Sequence, residues 1–583
     1  MSTPQDKQNI LNENKLLIDM TVMSVCNSQV SSDLENYLIV SVVEGWQQLV
    51  DAIRLVLKGE RQIEKFSDLD EEDSIVIEKI LEILAKPDVL VKSFLVSAQQ
   101  QLYTSPANAL MLVNSARDMT PENPMVHAML GQVLHVQGRL NESVTSYRKS
   151  LALLKEQPQV LLNLGVVLND LKQFEDAILV FAQVLDYQFD NLDAMSHLAY
   201  LYERSYKLDK SKEIIEKGLS INPQHPALTF ISGKLQQRAN NKMEAIQLIK
   251  QSLDFGLPPV LYGDAYSRLG YLYDQVGEMR NSIDCFTQAN SFYVKQCQEK
   301  GIDKKAFNNE VEYLNVLGKK MTCEGDDDVD DHTDPIFLIG FPRSGTTLLN
   351  QILDSHGGIQ TLEEKPLVAN LINKLYELSK QQNTDALSLG RANLLELRRA
   401  YFNSVKQYLI LKPDNVFIDK FPLNIAYVPI LAKVFPKAKY ILALRHPCDA
   451  CLSCFMHSFG LNSAMSNFTN IEDTVSLYVK LMSNWEKYST TNNIKFHRIR
   501  YEDTIDNFRQ ETIQILKFLG LDWDDEINAH TENARSGGVI DTPSYDQVTE
   551  PLYKHAVYRW KNYKSLFDLH MNELEPLIKE YGY

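Results

Sequence analysis

The chain has 583 residues, 44% of them hydrophobic and 23% charged, with a formal net charge of −17. That length allows several domains, and those fractions are ordinary for folded protein, so disorder is excluded as the organising state. The charge is uneven: residues 336–583 carry 27 Lys+Arg against 28 Asp+Glu (−1), which leaves 32 against 48 (−16) for residues 1–335, a balance that excludes nonspecific binding to nucleic acid or to an anionic membrane.

Seven cysteines spread over this length do not make a disulfide framework, and they predict a reducing, cytoplasmic setting. Near the N-terminus the stretch LLIDMTVMSVC is broken by Asp19, and no run of 18 apolar residues occurs, so neither a signal peptide nor a membrane span is expected. Residues 1–87 contain EGWQQLVDAIRLVLKG and DSIVIEKILEILAK, which have helical apolar periodicity but no repeat. They are expected to form a helical N-terminal region that caps the next one.

From there a repeat dominates. Leu130-Gly131, Leu164-Gly165, Leu198-Ala199 and Ser232-Gly233 follow at steps of 34 residues, and Leu269-Gly270 comes 37 later. Twelve residues after each small residue stands another, Ser143, Ala177, Ser211, Ala245 or Ser282, and four further on a large one, Tyr147, Phe181, Ile215, Ile249 or Phe286. Small residues let two helices approach, and the large residue fills the groove between them. One such unit cannot bury its own apolar face, so units stack. The period and pattern resemble the tetratricopeptide repeat, over about residues 90–300, and a degenerate unit precedes the five at 88–123. A helical solenoid is therefore expected over 88–320. The resemblance implies a peptide or protein partner in its groove.

Residues 321–335 include the acidic run EGDDDVDDHTDP, read as a solvated linker. A calcium loop is the alternative, but the glycine and terminal glutamate of an EF-hand are missing. Residues 336–583 then change texture. Candidate strands IFLIG, NVFID, YILALR and IKFHRIRY alternate with helical stretches such as LLNQILDS and AYVPILAKVF, which predicts an α/β domain with a mainly parallel sheet.

The first of these strands runs into IFLIGFPRSGTTLL. Gly340, four residues, then Gly345, Thr346 and Thr347 match a phosphate-binding loop except that Thr346 replaces the lysine serving a γ-phosphate. Strand, glycine turn and helix start converge backbone N–H groups on one anion. Ser344, Thr346 and Thr347 add hydroxyls, and Arg343 offers a planar fork for phosphate or sulfate. One strand on, Arg445 is followed eight residues later by Ser453, a second anion site. Two sites suit a nucleotide with phosphates at both ends. An ATPase or kinase remains the competing reading, with Asp419 as its metal ligand.

PRSGTT followed by RHPCDACLS resembles the sulfotransferases that use 3′-phosphoadenosine 5′-phosphosulfate (PAPS), over about residues 336–565. Within them the chain looks most like the tyrosylprotein sulfotransferase branch and its fusions to tetratricopeptide repeats. The resemblance implies that Gly340–Thr347 binds the 5′ phosphosulfate and Arg445 with Ser453 the 3′ phosphate. It explains the missing lysine: the donor has no γ-phosphate, and a sulfuryl group carries less charge than a phosphoryl group, so no metal is expected. Glu364, 21 residues after Arg343, falls where that branch has its base. Glu363 is its neighbour and rival. SYDQV (Ser544–Val548) matches an active-site segment, and Arg559-Trp560 a basic residue before tryptophan.

Chemically, a carboxylate must take the acceptor's proton, assigned to Glu364. Lys420 after NVFID, helped by Arg343 and Ser544, would meet the charge on the leaving oxygen. A surface lysine is the plain alternative for Lys420. Tyr501 falls near the adenine by resemblance, or else in the core, and Arg559 is a third candidate for the 3′ phosphate. The series His446, Cys448, Cys451, Cys454, His457 looks metal-rich, but the cysteines advance three at a time along one helix and are expected to pack as small apolar residues. The acceptor expected is a tyrosine hydroxyl of a peptide or protein. A saccharide or small phenol, and an interaction scaffold with an inactive nucleotide-binding domain, stay open.

Overall fold

The computed structural model describes residues 3–26, 31–43, 46–320, 322–324, 332–382, 388–529 and 556–583. They divide into two compact units, residues 1–239 and 240–583, so the division falls within the repeat array and not at the acidic run, most of which lies outside the described residues.

The described residues of the first unit form helices and the turns between them. Helices Pro4–Glu13, Lys15–Cys26, Ser31–Val43, Gln47–Leu57 and Glu71–Leu84 precede the repeat-like pair Pro87–Gln101 and Pro106–Met119. One apolar cluster runs from Leu17 and Val22 through Ile53, Ile77 and Phe94 to Val126 and Leu130, so the N-terminal helices bury the exposed end of the first repeat. The small-residue rule holds atom by atom. A Cβ on Gly131 would stand 2.6 Å from the Tyr147 ring, and one on Gly165 2.6 Å from Phe181. Ser143 Oγ donates to the Gly131 carbonyl at 2.7 Å, and Ser211 Oγ to the Ala199 carbonyl at 2.7 Å. The small position is thus a hydrogen-bonded clasp between helices as well as a spacer.

The second unit opens with helices Lys242–Asp254, Tyr262–Gln275, Met279–Glu299 and Lys304–Lys320. Here too Ser282 Oγ reaches the Gly270 carbonyl at 2.8 Å, under the Phe286 ring. The sheet that follows has five parallel strands: β1 (Ile336–Gly340), β2 (Ile359–Glu363), β3 (Val416–Lys420), β4 (Lys439–Leu444) and β5 (Phe496–Arg500), in the order β2-β3-β1-β4-β5. Register sets Leu338 beside Lys420 and Ile441, and Gly340 beside Ala443. Both faces are covered, which is why β1 reads as an unbroken apolar run. Phe337 and Ile339 face one cluster with Tyr401, Phe435 and Tyr440, while Ile336 and Leu338 face the other with Ile352, Ile441 and Ile499. The first of those clusters also contains Phe286, Phe307, Val311 and Leu314. The last repeat and the helix after it therefore share a core with the sheet.

Of these five strands, β2 is the one that the sequence pattern does not predict; a separate parallel pair, Thr322–Glu324 with Ser388–Gly390, is not predicted either. IQTLE alternates polar residues and stands at the sheet edge, where a short polar strand is the rule. At the end of the acidic run, Asp334 is pinned by Arg398 at 2.6 Å and by the Lys437 amide at 2.8 Å.

Candidate active site

Every described candidate on the sheet lies at the carboxyl end of a strand or on the loop or helix that follows it, where open parallel sheets build their sites. The β1 loop needs its glycines. A Cβ on Gly340 would stand 2.4 Å from the Ala443 carbonyl oxygen of β4. Gly345 takes φ +87°, and a Cβ there would meet the Tyr501 ring at 2.7 Å. Arg343 also adopts a left-handed φ of +67°. The helix Thr346–Asp354 begins at Gly345 without a side-chain cap, so its first N–H groups face the loop, with the dipole favouring an anion. Ser344, Thr346 and Thr347 are all buried.

The loop and the candidate second anion site are joined. Arg343 Nε donates to Ser453 Oγ at 3.1 Å across from helix Pro447–Phe455. Arg445 follows β4 and donates to the Arg343 carbonyl at 3.1 Å and the Ala556 carbonyl at 2.6 Å. Its guanidinium lies 5.1 Å from the Tyr501 ring centre, and its buried Nε has no hydrogen-bond partner among the described residues. A polar atom so placed fits a phosphate oxygen, because leaving it unmet is costly. Tyr501 starts the helix after β5 and, with Ser344, Gly345, Leu348, Ala443 and Ile499, lines a small cleft beside the loop. It is neither a lone core tyrosine nor remote from the loop.

The other side of the loop is organised by one lysine. Lys420 is fully buried and donates to Thr347 Oγ1 at 3.2 Å, Glu363 Oε1 at 2.7 Å and Glu364 Oε1 at 2.7 Å. The surface-lysine alternative is therefore excluded. Both carboxylates remain partly open, Glu363 at 21% and Glu364 at 34% side-chain exposure. Glu364 has φ +49°, unusual for a residue with a side chain, and its amide donates to the Lys420 carbonyl at 2.8 Å. Strain of this kind persists only where the surroundings hold it.

Asp419 turns away from this cluster. It is the residue before Lys420 on β3, so its side chain takes the opposite face of the sheet, where Tyr401 donates to it at 2.9 Å. Burial raises its pKa from 3.8 to about 7. That position, inside the aromatic cluster, does not suit the metal ligand that the ATPase reading requires. The folded chain therefore holds an extra proton between about pH 4 and 7, and stability falls as pH rises through that window. At 1.36 kcal/mol per unit, wild type should lose roughly 2–3 kcal/mol from this source between pH 5 and 8. Asp419→Asn keeps the Tyr401 bond and should lack this slope, as urea titrations at the two pH values would show.

Arg559 is drawn elsewhere. It pairs with Asp274 of helix Tyr262–Gln275 at 2.7 Å, a partner that no sequence motif announces. Cys448, Cys451 and Cys454 are buried along helix Pro447–Phe455, and burial pushes the Cys448 thiol up to about 12. They pack as apolar residues, with Cys454 Sγ 3.4 Å from the Pro342 carbonyl. Ser544 lies outside the described residues.

The family model described as "Sulfotransferase family" matches residues 335–525, and one described as "Tetratricopeptide repeat" matches 192–225 and 263–292. An uncharacterized protein of Aquifex aeolicus (strain VF5) is 26% identical over 240 residues, 40% of this chain and 31% of that one. Protein-tyrosine sulfotransferase 1 of Danio rerio is 25% identical over 261 residues, 42% of this chain and 72% of its own. Protein-tyrosine sulfotransferase A of Caenorhabditis elegans is 23% identical over 276 residues, 45% of this chain and 71% of its own. The match thus spans under a third of the first relative. Among solved structures, Pseudomonas aeruginosa PilF matches at 18% identity and TM-score 0.32, over 36% of this chain and 93% of that one. The five-stranded parallel sheet and the loop that follows β1 thus lie within the residues, 335–525, that match the sulfotransferase family, and the tetratricopeptide repeat matches precede them in the chain.

Proposed function

We propose that this chain is a PAPS-dependent sulfotransferase whose acceptor is a tyrosine hydroxyl of a peptide or protein. The observation that carries the reading is the Lys420 junction, where one buried ammonium touches both the phosphate-loop threonine and the two glutamates at the end of β2. A donor held by the loop would have its reacting end beside a carboxylate and a cation at once. The acceptor hydroxyl gives its proton to Glu364, and its oxygen bonds to sulfur. The bond from sulfur to the bridging oxygen breaks, and the electron pair stays on the phosphate. Lys420 and Arg343 stabilise that charge. Arg445 and Ser453 take the 3′ phosphate. The similarity to the protein-tyrosine sulfotransferases of Danio rerio and Caenorhabditis elegans supports tyrosine as the acceptor, and the repeats support a protein or peptide substrate.

The test is transfer of labelled sulfate from PAPS to tyrosine-containing peptides with EDTA present. Labelled peptide is the expected result. Donor binding without peptide labelling would move the acceptor to a saccharide or small phenol. No donor binding would leave the scaffold reading.

A further inference from the structure

The last repeat reaches the nucleotide site through one carboxylate. Asp274 stands next to the end of helix Tyr262–Gln275, where the helix dipole disfavours an anion. It is held there by two donors from the C-terminal segment. Its Oδ1 accepts from Tyr563 Oη at 2.6 Å and from Arg559 Nε at 3.2 Å, and its Oδ2 lies 2.7 Å from an Arg559 terminal nitrogen. The Arg559 guanidinium also rests over the Tyr271 ring at 5.9 Å. Tyr563 is 1% exposed, and its hydroxyl lies 3.0 Å from Ser282 Oγ, the same hydroxyl that clasps Gly270.

The segment so anchored bears on the 3′ side of the cradle. The Trp560 amide donates to Asp449 Oδ1 at 2.7 Å, and its indole stacks on His446 at 4.9 Å. Three residues before Arg559, the Ala556 carbonyl takes the Arg445 guanidinium at 2.6 Å. A shift of this segment would carry away one of the two carbonyls that orient Arg445.

We propose that the last repeat is part of the nucleotide site: Asp274 is a positioning residue that, through Arg559 and Tyr563, fixes the segment on which Arg445 is oriented toward a 3′-phosphate. This rests on the reading of Arg445 as the 3′-phosphate contact. It assigns to a repeat helix, ordinarily a recognition element, a share in choosing a 3′-phosphorylated nucleotide.

The experiment is calorimetry on the full-length protein with adenosine 3′,5′-bisphosphate and with adenosine 5′-monophosphate, which lacks the 3′-phosphate. Wild type should prefer the bisphosphate. Asp274→Ala should weaken the bisphosphate about tenfold, the size of one charge-assisted contact, and leave the monophosphate within about twofold. Adding Asp274→Ala to a variant that already carries Arg559→Ala and Tyr563→Phe should change nothing further, because Asp274 acts through those two residues. A purely structural role would weaken both ligands equally, and that result, or no change in either, overturns the proposal. If Asp274→Ala does not fold, Tyr563→Phe provides the same comparison: selective loss for the bisphosphate supports the proposal, and equal or no loss overturns it. Wild type that binds both nucleotides equally overturns the 3′-phosphate reading itself, and the proposal with it.

Discussion

Glu364→Gln is expected to lower sulfuryl transfer about 10²- to 10⁴-fold while affinity for adenosine 3′,5′-bisphosphate stays within about twofold. Glutamine matches the shape of glutamate and can still accept from Lys420, whose ammonium lies 2.7 Å from the carboxylate. It cannot take a proton from the acceptor. The backbone at Glu364, with φ +49° and its amide on the Lys420 carbonyl, is unaffected by the change. Glu363 is the necessary control, because its carboxylate is also 2.7 Å from Lys420. Glu364 is the more open of the two, at 34% against 21%, and an acceptor must reach the base from solvent. Glu363→Gln should therefore cost less than about tenfold. If it costs more than Glu364→Gln, the base is Glu363.

Lys420→Met is the second large effect. Methionine keeps most of the volume of the buried lysine stem and deletes the ammonium. Transfer should fall about 10³-fold, the loss of a preorganised donor at the developing charge. Affinity for the bisphosphate should also weaken, unlike in Glu364→Gln, because Thr347 loses its partner at 3.2 Å. The fold should persist, since Glu363 and Glu364 both reach water once the cation is gone. Kinetics and calorimetry on the same preparations separate the two variants. The double variant should lose little more than the worse single one, as residues sharing one network do. A Lys420→Met protein retaining a tenth of wild-type activity would remove Lys420 from the chemistry.

Several site residues are legible in the chain because each lies in a local pattern. The loop Gly340–Thr347 is a strand, a glycine turn and a helix start in sequence, and Arg445 and Ser453 sit on one strand end and the helix after it. Glu364 is singled out by the resemblance to the tyrosylprotein branch, while strand β2, which ends beside it, leaves no apolar pattern to read. Asp419 and Lys420 show the limit: adjacent in sequence, they face opposite sides of the sheet, and neither the Tyr401 bond of one nor the glutamate bonds of the other can be read from NVFIDK.

The sequence by itself determined the elements that repeat or that carry their own chemistry nearby: the 34-residue helical step, with its glycine-to-ring contacts at Gly131 and Gly165, and the anion loop with its tight glycines. These depend on periodicity and backbone conformation, which act over a few residues. Only the tertiary structure decided that Lys420 gathers Thr347, Glu363 and Glu364, that Arg343 meets Ser453, and that Asp274 of the last repeat holds Arg559. Those contacts join residues 56 to 285 positions apart. They arise from the pairing order of the sheet and from a core that the last repeat shares with it, and charge pairs formed that way leave no spacing in the chain to be read.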